Sequence, residues 1–460
     1  MSWRPCGART CYEPFIEAHV RQKTFYPSVD PAVVGTRTAH KYSNSLALRK
    51  GESTMHVDER FPIRQRATAQ VPLHPAQTQS RTPYKLRPLE LATGWPVGIE
   101  SIAMPELAPS ESPRQILERL LLQALDRPPC VIAFSGGRDS SALLALAVHV
   151  ARSQGRPLPI PATRVFPEHA ATDETAWQSR VVRHLGVDDW IRVSITDECD
   201  LLGPIATPLL RQYGVLWPPA SIVFVPVCEI ARGGSLITGE GGDEVLGPRR
   251  VSPIRHLLGG PRRARAALPH VPGAIGPRRL RAAHWRYRLG SGVQEMTWLR
   301  PDARAAFLQG LIEDRLTEPL SWNASTTRLA RRRSWVHGSA TFALLAQPYD
   351  VEVHHPLLDP LFLSGLAVTG PLLGPMSRSG ALSELVGDLL PQDVLRRQSK
   401  ATFNTALLGD VSRAFATEWP GNGVDASIVD PPLLRKVWLQ PVPHAGSFAL
   451  LQAAWLGDHA

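Results

Sequence analysis

Seven consecutive residues, Ser135, Gly136, Gly137, Arg138, Asp139, Ser140 and Ser141, place two glycines, three hydroxyls and a carboxylate between an apolar run and an amphipathic one. A Ser-Gly-Gly turn between a buried strand and a helix leaves the first backbone N–H groups of that helix unpaired and facing outward. The helix dipole adds to them and makes an anion site. Gly136 and Gly137 let the backbone approach a phosphate, while Ser135, Ser140 and Ser141 supply hydroxyl donors. Asp139 would repel a polyphosphate unless a divalent cation such as Mg²⁺ stood between them and turned repulsion into coordination. A serine-capped glycine turn of purely structural use is the alternative, and the strand before and helix after it disfavour that reading. Gly-Lys-Ser/Thr occurs nowhere, which excludes kinases and GTPases built on the other phosphate loop.

Three further segments carry candidate chemistry. Thr238-Gly239-Glu240-Gly241-Gly242-Asp243-Glu244 is a second glycine-rich turn, at the end of an apolar run. Asp350-Val351-Glu352-Val353-His354-His355-Pro356-Leu357-Leu358-Asp359 holds a glutamate, Glu352, between two valines. Its His354 and His355 are adjacent, so they face different ways and lack an evident third metal ligand. Leu390-Pro391-Gln392-Asp393-Val394-Leu395-Arg396-Arg397-Gln398-Ser399-Lys400-Ala401-Thr402-Phe403 contains Lys400, and no lysine lies between Lys85 and Lys400. The plain alternatives are a loop glutamate and a solvated surface lysine.

The turn at 135–140 resembles the Ser-Gly-Gly-x-Asp-Ser signature of the N-type ATP pyrophosphatases. The segment at 239–244 is similar to the Gly-Glu-Gly-Gly-Asp-Glu of the asparagine synthetase family's synthetase domain, whose relatives include β-lactam synthetases and lasso-peptide cyclases. The segments at 350–359 and 390–403 resemble that family's Gly-Val-Glu-Ala-Arg-x-Pro-Phe-Leu-Asp and its Leu-Pro, Arg and Lys region. The resemblance spans roughly residues 112–408. It implies ATP and Mg²⁺ as cofactors, with Ser135, Gly136, Gly137, Asp139, Ser140, Ser141, Gly241 and Gly242 at the nucleotide and Asp139 and Asp243 at the metal. It also implies Glu352 as the base that positions the amine, Lys400 as the charge stabiliser, and AMP-forming amide synthesis by a carbon-nitrogen ligase. The sequence departs from the family in three places. The amino-terminal glutaminase domain has no counterpart, since Ser2 and not cysteine follows Met1 and about 110 residues are too few to build one. Val245-Leu246-Gly247 replaces Phe-Gly-Gly-Tyr, and His354 replaces the arginine.

The elements that must hold these residues alternate. Apolar strands are expected near 130–134, 162–166, 190–195 and 235–238, with helices over 112–125, 140–151, 172–185 and 221–231 between them. Ser112, Pro113 and the stripe Ile116, Leu117, Leu120 and Leu121 mark the first helix. Such alternation predicts an α/β fold with a doubly wound parallel sheet, its ligands at the carboxyl ends of the strands. A mainly helical C-terminal part is expected to follow and to complete the synthetase site. The expected organisation is a poorly ordered or degenerate region at 1–109, the ATP-pyrophosphatase core at 110–247, an Arg-rich insertion at 248–290, and the helical part at 291–460. Met55 is a plausible alternative start.

No apolar run approaches the roughly 18 residues of a membrane span, and no secretory h-region follows Met1. Five scattered cysteines lack zinc spacing and fit a reducing cytoplasm. Of the 51 basic residues only six are lysine, and the formal charge is +10. Residues 248–290 hold eleven arginines and no carboxylate, a stretch expected to be a mobile solvated loop, with recruitment of an acidic peptide or tRNA as the alternative. The expected partners are a small-molecule or peptide substrate and a separate amine donor or glutaminase, without membrane or nucleic acid. Two rival functions are an ATP-dependent tRNA-modifying enzyme with the same loop and a non-catalytic binding protein with a decayed site.

Overall fold

The computed structural model describes residues 63–64, 85–105, 111–397 and 403–459. At its centre is a six-stranded sheet, β1 (Ile63–Arg64), β2 (Cys130–Ala133), β3 (Ile160–Val165), β4 (Ile191–Ser194), β5 (Ser235–Ile237) and β6 (Glu352–His354), in the order β1-β4-β3-β2-β5-β6. Every pairing is parallel. The chain winds outward from β2 through β3 to β4, then returns to β5 on the other side of β2. The doubly wound parallel sheet expected from the sequence is therefore present, and its winding reverses between β2 and β5, where such sheets bind ligands.

Two apolar cores cover the two faces, and the alternation of β2 shows how. Cys130, Ile132 and Phe134 belong to one core and Val131 and Ala133 to the other, as the period of two along a strand requires. The first core packs helices Pro113–Leu125, Arg138–Ser153, Thr175–Leu185 and Pro360–Thr369. The second joins the sheet to Leu345, Tyr349, Trp419, Trp438 and Leu451, so the helical C-terminal part shares its core with the strands. Ser112 caps the first of these helices by accepting from Gln115 N, with Pro113 at its first position.

Three expectations are corrected. The sheet does not end before residue 247, because β6 adds to the edge of β5 with Ser235, Leu236 and Ile237 opposite Glu352, Val353 and His354. Residues 85–105, expected to be poorly ordered, carry the helix Pro88–Thr93. Its Glu90 is buried and accepts two hydrogen bonds from Arg333 (3.0 and 3.1 Å), and Trp298 Nε1 donates to Ala92 O (2.8 Å). The remainder of 1–84 and 106–110 lies outside the described residues, apart from β1. Finally, the Arg-rich stretch is not a loop but the helices Ser252–Leu257, Pro261–Ala267, Val271–Ile275 and Arg278–Glu295. Arg249 Nη2 donates to Val245 O (2.8 Å), Arg250 Nε to Ala274 O (2.7 Å) and Arg281 Nη2 to Leu316 O (2.8 Å). These guanidinium groups satisfy carbonyls that the short helices leave over. Other arginines of the stretch, among them Arg263, Arg265 and Arg279, remain exposed.

Candidate active site

The two glycine-rich turns leave neighbouring strands at the same end of the sheet, because Cys130 and Ser235 are in register. Gly136 has φ +80° and a Cβ there would stand 2.7 Å from Gln178 Cγ, so only glycine fits. The turn is braced from within and without. Gly137 N donates to Ser135 Oγ (3.3 Å), the Ser135 and Ser140 hydroxyls lie 3.1 Å apart, and Ser140 Oγ donates to Gly137 O (3.2 Å). From outside, Gln178 Nε2 donates to Ser135 O (3.0 Å) and Arg397 Nη1 to Gly136 O (2.8 Å), while Arg397 also pairs with the buried Glu174. Ser141 is fully buried, and its hydroxyl has no hydrogen-bond partner among the described residues.

Gly242 begins the helix Gly242–Val245, and a Cβ at this position would meet Asp139, 2.7 Å from Oδ2 and nearer still to Cγ. Asp139 and Asp243 therefore face one another across the two turns. Both donate nothing and accept from one group: the Arg378 guanidinium reaches Asp139 Oδ2 with Nη2 and Asp243 Oδ1 with Nη1. Burial alone would lower the Arg378 pKa, and the charges of Asp139 and Asp243 more than reverse this and hold it above its ordinary value. Burial lowers the pKa of neighbouring Arg138, and repulsion from Arg378 adds to the fall. A pair of carboxylates that already holds one cation, in a cradle that only glycine leaves open, suits Mg²⁺, which takes one or two protein carboxylates and completes its shell with phosphate oxygens and water. Among the described residues no group of three or more His, Cys, Asp or Glu side chains could hold a metal by itself, so such an ion would need the phosphates.

The structure does not bring Glu352 to this end. It stands opposite Ser235 at the start of β5, some five residues and roughly 16 Å of strand below the turn at Glu240. There its exposed carboxylate meets Arg127 Nη1 (3.5 Å) and His354 Nε2 (3.5 Å). A strand of three residues separates the two ends, and nothing in the motif itself says which end its glutamate occupies. Lys400 lies outside the described residues. His354 and His355 diverge as expected, one toward Glu352 and the other to a 2.6 Å contact between Nδ1 and Thr238 Oγ1. Burial pushes His355 down to about 4.

Sequence reasoning missed four residues of this site. Arg378, Arg397 and Glu174 come to it from up to 261 positions away; no local pattern announces Arg378 or Glu174, whereas Arg397 lies in the 390–403 segment, whose family counterpart includes an arginine. Glu240 had a signal, since it lies inside the second glycine turn, and the structure leaves it half-buried at the carboxyl end of β5. Glu240 directly precedes Gly241, the N-cap of the helix that carries Asp243, so it lies on the same rim. Next to Asp243 a cavity opens between Trp95, Glu244, Arg249, Glu318 and Arg328, against the turn where the family's Phe-Gly-Gly-Tyr is replaced.

No curated protein matches the chain. A family model described as asparagine synthase matches residues 115–448, extending past the C-terminal end of the 112–408 span that the motifs cover. With both glycine turns inside that span and joined at one end of a doubly wound sheet, the chain belongs to the asparagine synthase family.

Proposed function

We propose that the protein activates a substrate carboxylate with ATP, forming an acyl-adenylate and pyrophosphate, and that an amine then displaces AMP to give an amide. The observation that carries this reading is the convergence of Asp139 and Asp243 beside a phosphate-sized glycine turn. Ser135, Gly136, Gly137 and Ser140 bind the polyphosphate through backbone N–H and hydroxyl groups, and Gly241 and Gly242 admit it against the second turn. Mg²⁺ held by Asp139 and Asp243 would offset phosphate charge and make pyrophosphate a better leaving group. Lys400, and with it Arg138 and Arg378, supplies positive charge for the α-phosphate.

The carboxylate oxygen of the substrate attacks the α-phosphorus as the bond to pyrophosphate breaks. The amine then adds to the acyl carbon, AMP leaves with that oxygen, and a base removes the amine proton. Glu240 fits the role of base better than Glu352, because it lies on the rim where the phosphates bind and Glu352 lies at the other end of β6. The amine comes from free ammonia, from a separate donor, or from the substrate itself, which would make the enzyme a cyclase of specialised metabolism. Asparagine is one product of such chemistry.

The tRNA-modifying alternative is less well supported. Among the described residues the cysteines are buried, and burial pushes Cys130 up to about 11 and Cys199 and Cys228 to about 12, far from the thiolate that sulfur transfer uses. No described helix is long and apolar enough to cross a membrane. The test is pyrophosphate release across a panel of carboxylate and amine pairs. Stimulation by one pair, lost in Asp139→Ala, supports the reading; release indifferent to every pair or to the substitution rejects it.

A further inference from the structure

Arg378 occupies a position that two cations cannot share. It opens the helix Arg378–Val386, whose N-cap Ser377 accepts from Gly380 N (3.1 Å), so its backbone is fixed and its side chain reaches back to the site. Its two terminal nitrogens serve carboxylates from different turns, Asp139 after β2 and Asp243 after β5, with only 15% of the side chain exposed. A Mg²⁺ ion ligated by both carboxylates at roughly 2.0–2.1 Å would need the space between them that the guanidinium fills. One cation must leave before the other can enter.

We propose that Arg378 is a nucleotide-binding residue that doubles as the resident counter-ion of the metal carboxylates. In the nucleotide-free protein it neutralises Asp139 and Asp243 and keeps free metal out. When the polyphosphate arrives with its metal, the guanidinium transfers to phosphate oxygens, which it engages in the same two-pronged geometry. Metal and nucleotide thus enter together, and the carboxylates are never left facing each other without a cation. Arg138, whose Nη1 lies 3.5 Å from Ser379 Oγ, stands beside the path of this transfer. The swing needs only the side chain, because Met376 O accepts from His256 Nε2 (3.1 Å) and holds the segment before the helix in place. The proposal rests on reading Asp139 and Asp243 as the metal ligands.

The experiment titrates Mn²⁺ into the full chain and reads free Mn²⁺ by electron paramagnetic resonance, with and without α,β-methylene-ATP. Wild type is expected to bind Mn²⁺ weakly alone and tightly with the analogue. Arg378→Gln should bind Mn²⁺ alone at least about tenfold more tightly than wild type, the equivalent of ~1.4 kcal/mol, and should gain less from the analogue. Should Arg378→Gln fail to fold, Arg378→Lys serves, because one ammonium cannot reach both carboxylates as a guanidinium does, and metal-only affinity should again rise. Equal metal-only affinity in wild type and variant overturns the proposal, as does absence of metal binding by all of them. If the metal-only difference stands while no protein binds the analogue, the ATP reading falls and the competition at Asp139 and Asp243 stands.

Discussion

Replacing Gly242 by alanine should disable the site while leaving the fold nearly untouched. Gly242 is the first residue of the helix Gly242–Val245 and its φ lies outside the left-handed region, so its backbone accepts alanine. The added methyl, however, would overlap Asp139 Cγ and Oδ1 and lie 2.7 Å from Oδ2, so with ordinary contact near 3.5 Å the whole carboxylate must retreat by more than about 0.8 Å. Asp139 can yield by rotating, which carries its carboxylate away from Asp243 and from the shared cation. Displacements of about 1 Å at a reacting centre cost on the order of 100-fold in rate, and the affinity for Mg²⁺ and nucleotide together should fall at least about tenfold. Stability should change by less, since alanine in place of glycine favours the helix by roughly 0.5–1 kcal/mol and offsets part of the crowding. Isothermal titration with Mg²⁺ and α,β-methylene-ATP, alongside urea denaturation, separates the two effects. Wild-type nucleotide affinity with unchanged stability would refute the placement of Asp139 against Gly242.

Four other outcomes follow from the same geometry. Arg397→Met removes the donor to Gly136 O and leaves buried Glu174 without that partner; it should lower stability by about 3–5 kcal/mol in urea denaturation and weaken nucleotide binding as well. Glu90→Gln and Arg333→Met should each destabilise by about 3 kcal/mol, and the double variant by much less than the sum, because the two side chains pair with each other in a buried site. His355 has a folded pKa of about 4, below the ordinary 6.5, so unfolded chains bind its proton first. Its contribution is whole above pH 6.5 and is lost as pH falls toward 4, by up to on the order of 3 kcal/mol, and His355→Asn should flatten that part of the stability profile. Glu240→Gln should retain carboxylate-dependent exchange of labelled pyrophosphate into ATP yet lose at least about 100-fold in amide formation, whereas Glu352→Gln should leave both near wild type.

The sequence made the centre of the sheet legible because β2 is a continuous apolar run and β3 to β5 are short, β-branched-rich segments spaced by helical ones. Ser135 to Asp139 and Gly239 to Asp243 could be read as a site for the same reason: their chemistry is local. What stayed hidden depends on distance along the chain. Val351 to His354 alternate apolar and polar, but over too few residues to mark a strand alone, and β6 forms where the edge of β5 is there to pair with. The helix Pro88–Thr93 has its own start and stop in Pro88 and Gly94, but that its Glu90 would be buried is settled only by Arg333, 243 positions later. Eleven arginines without a carboxylate suggest a solvated loop, yet Arg249, Arg250 and Arg281 are used to close carbonyls of neighbouring helices. Arg378 is the sharpest case, since Ser377 and Gly380 around it spell only a helix start.

The central claim, that the carboxylate is activated as an adenylate, is tested most directly by oxygen labelling. A substrate carboxylate carrying ¹⁸O, turned over with ATP and the amine, should deliver one labelled oxygen to the phosphate of AMP, as mass spectrometry of the isolated nucleotide would show. Label recovered in inorganic phosphate with ADP as the nucleotide product, or AMP without label, would contradict it.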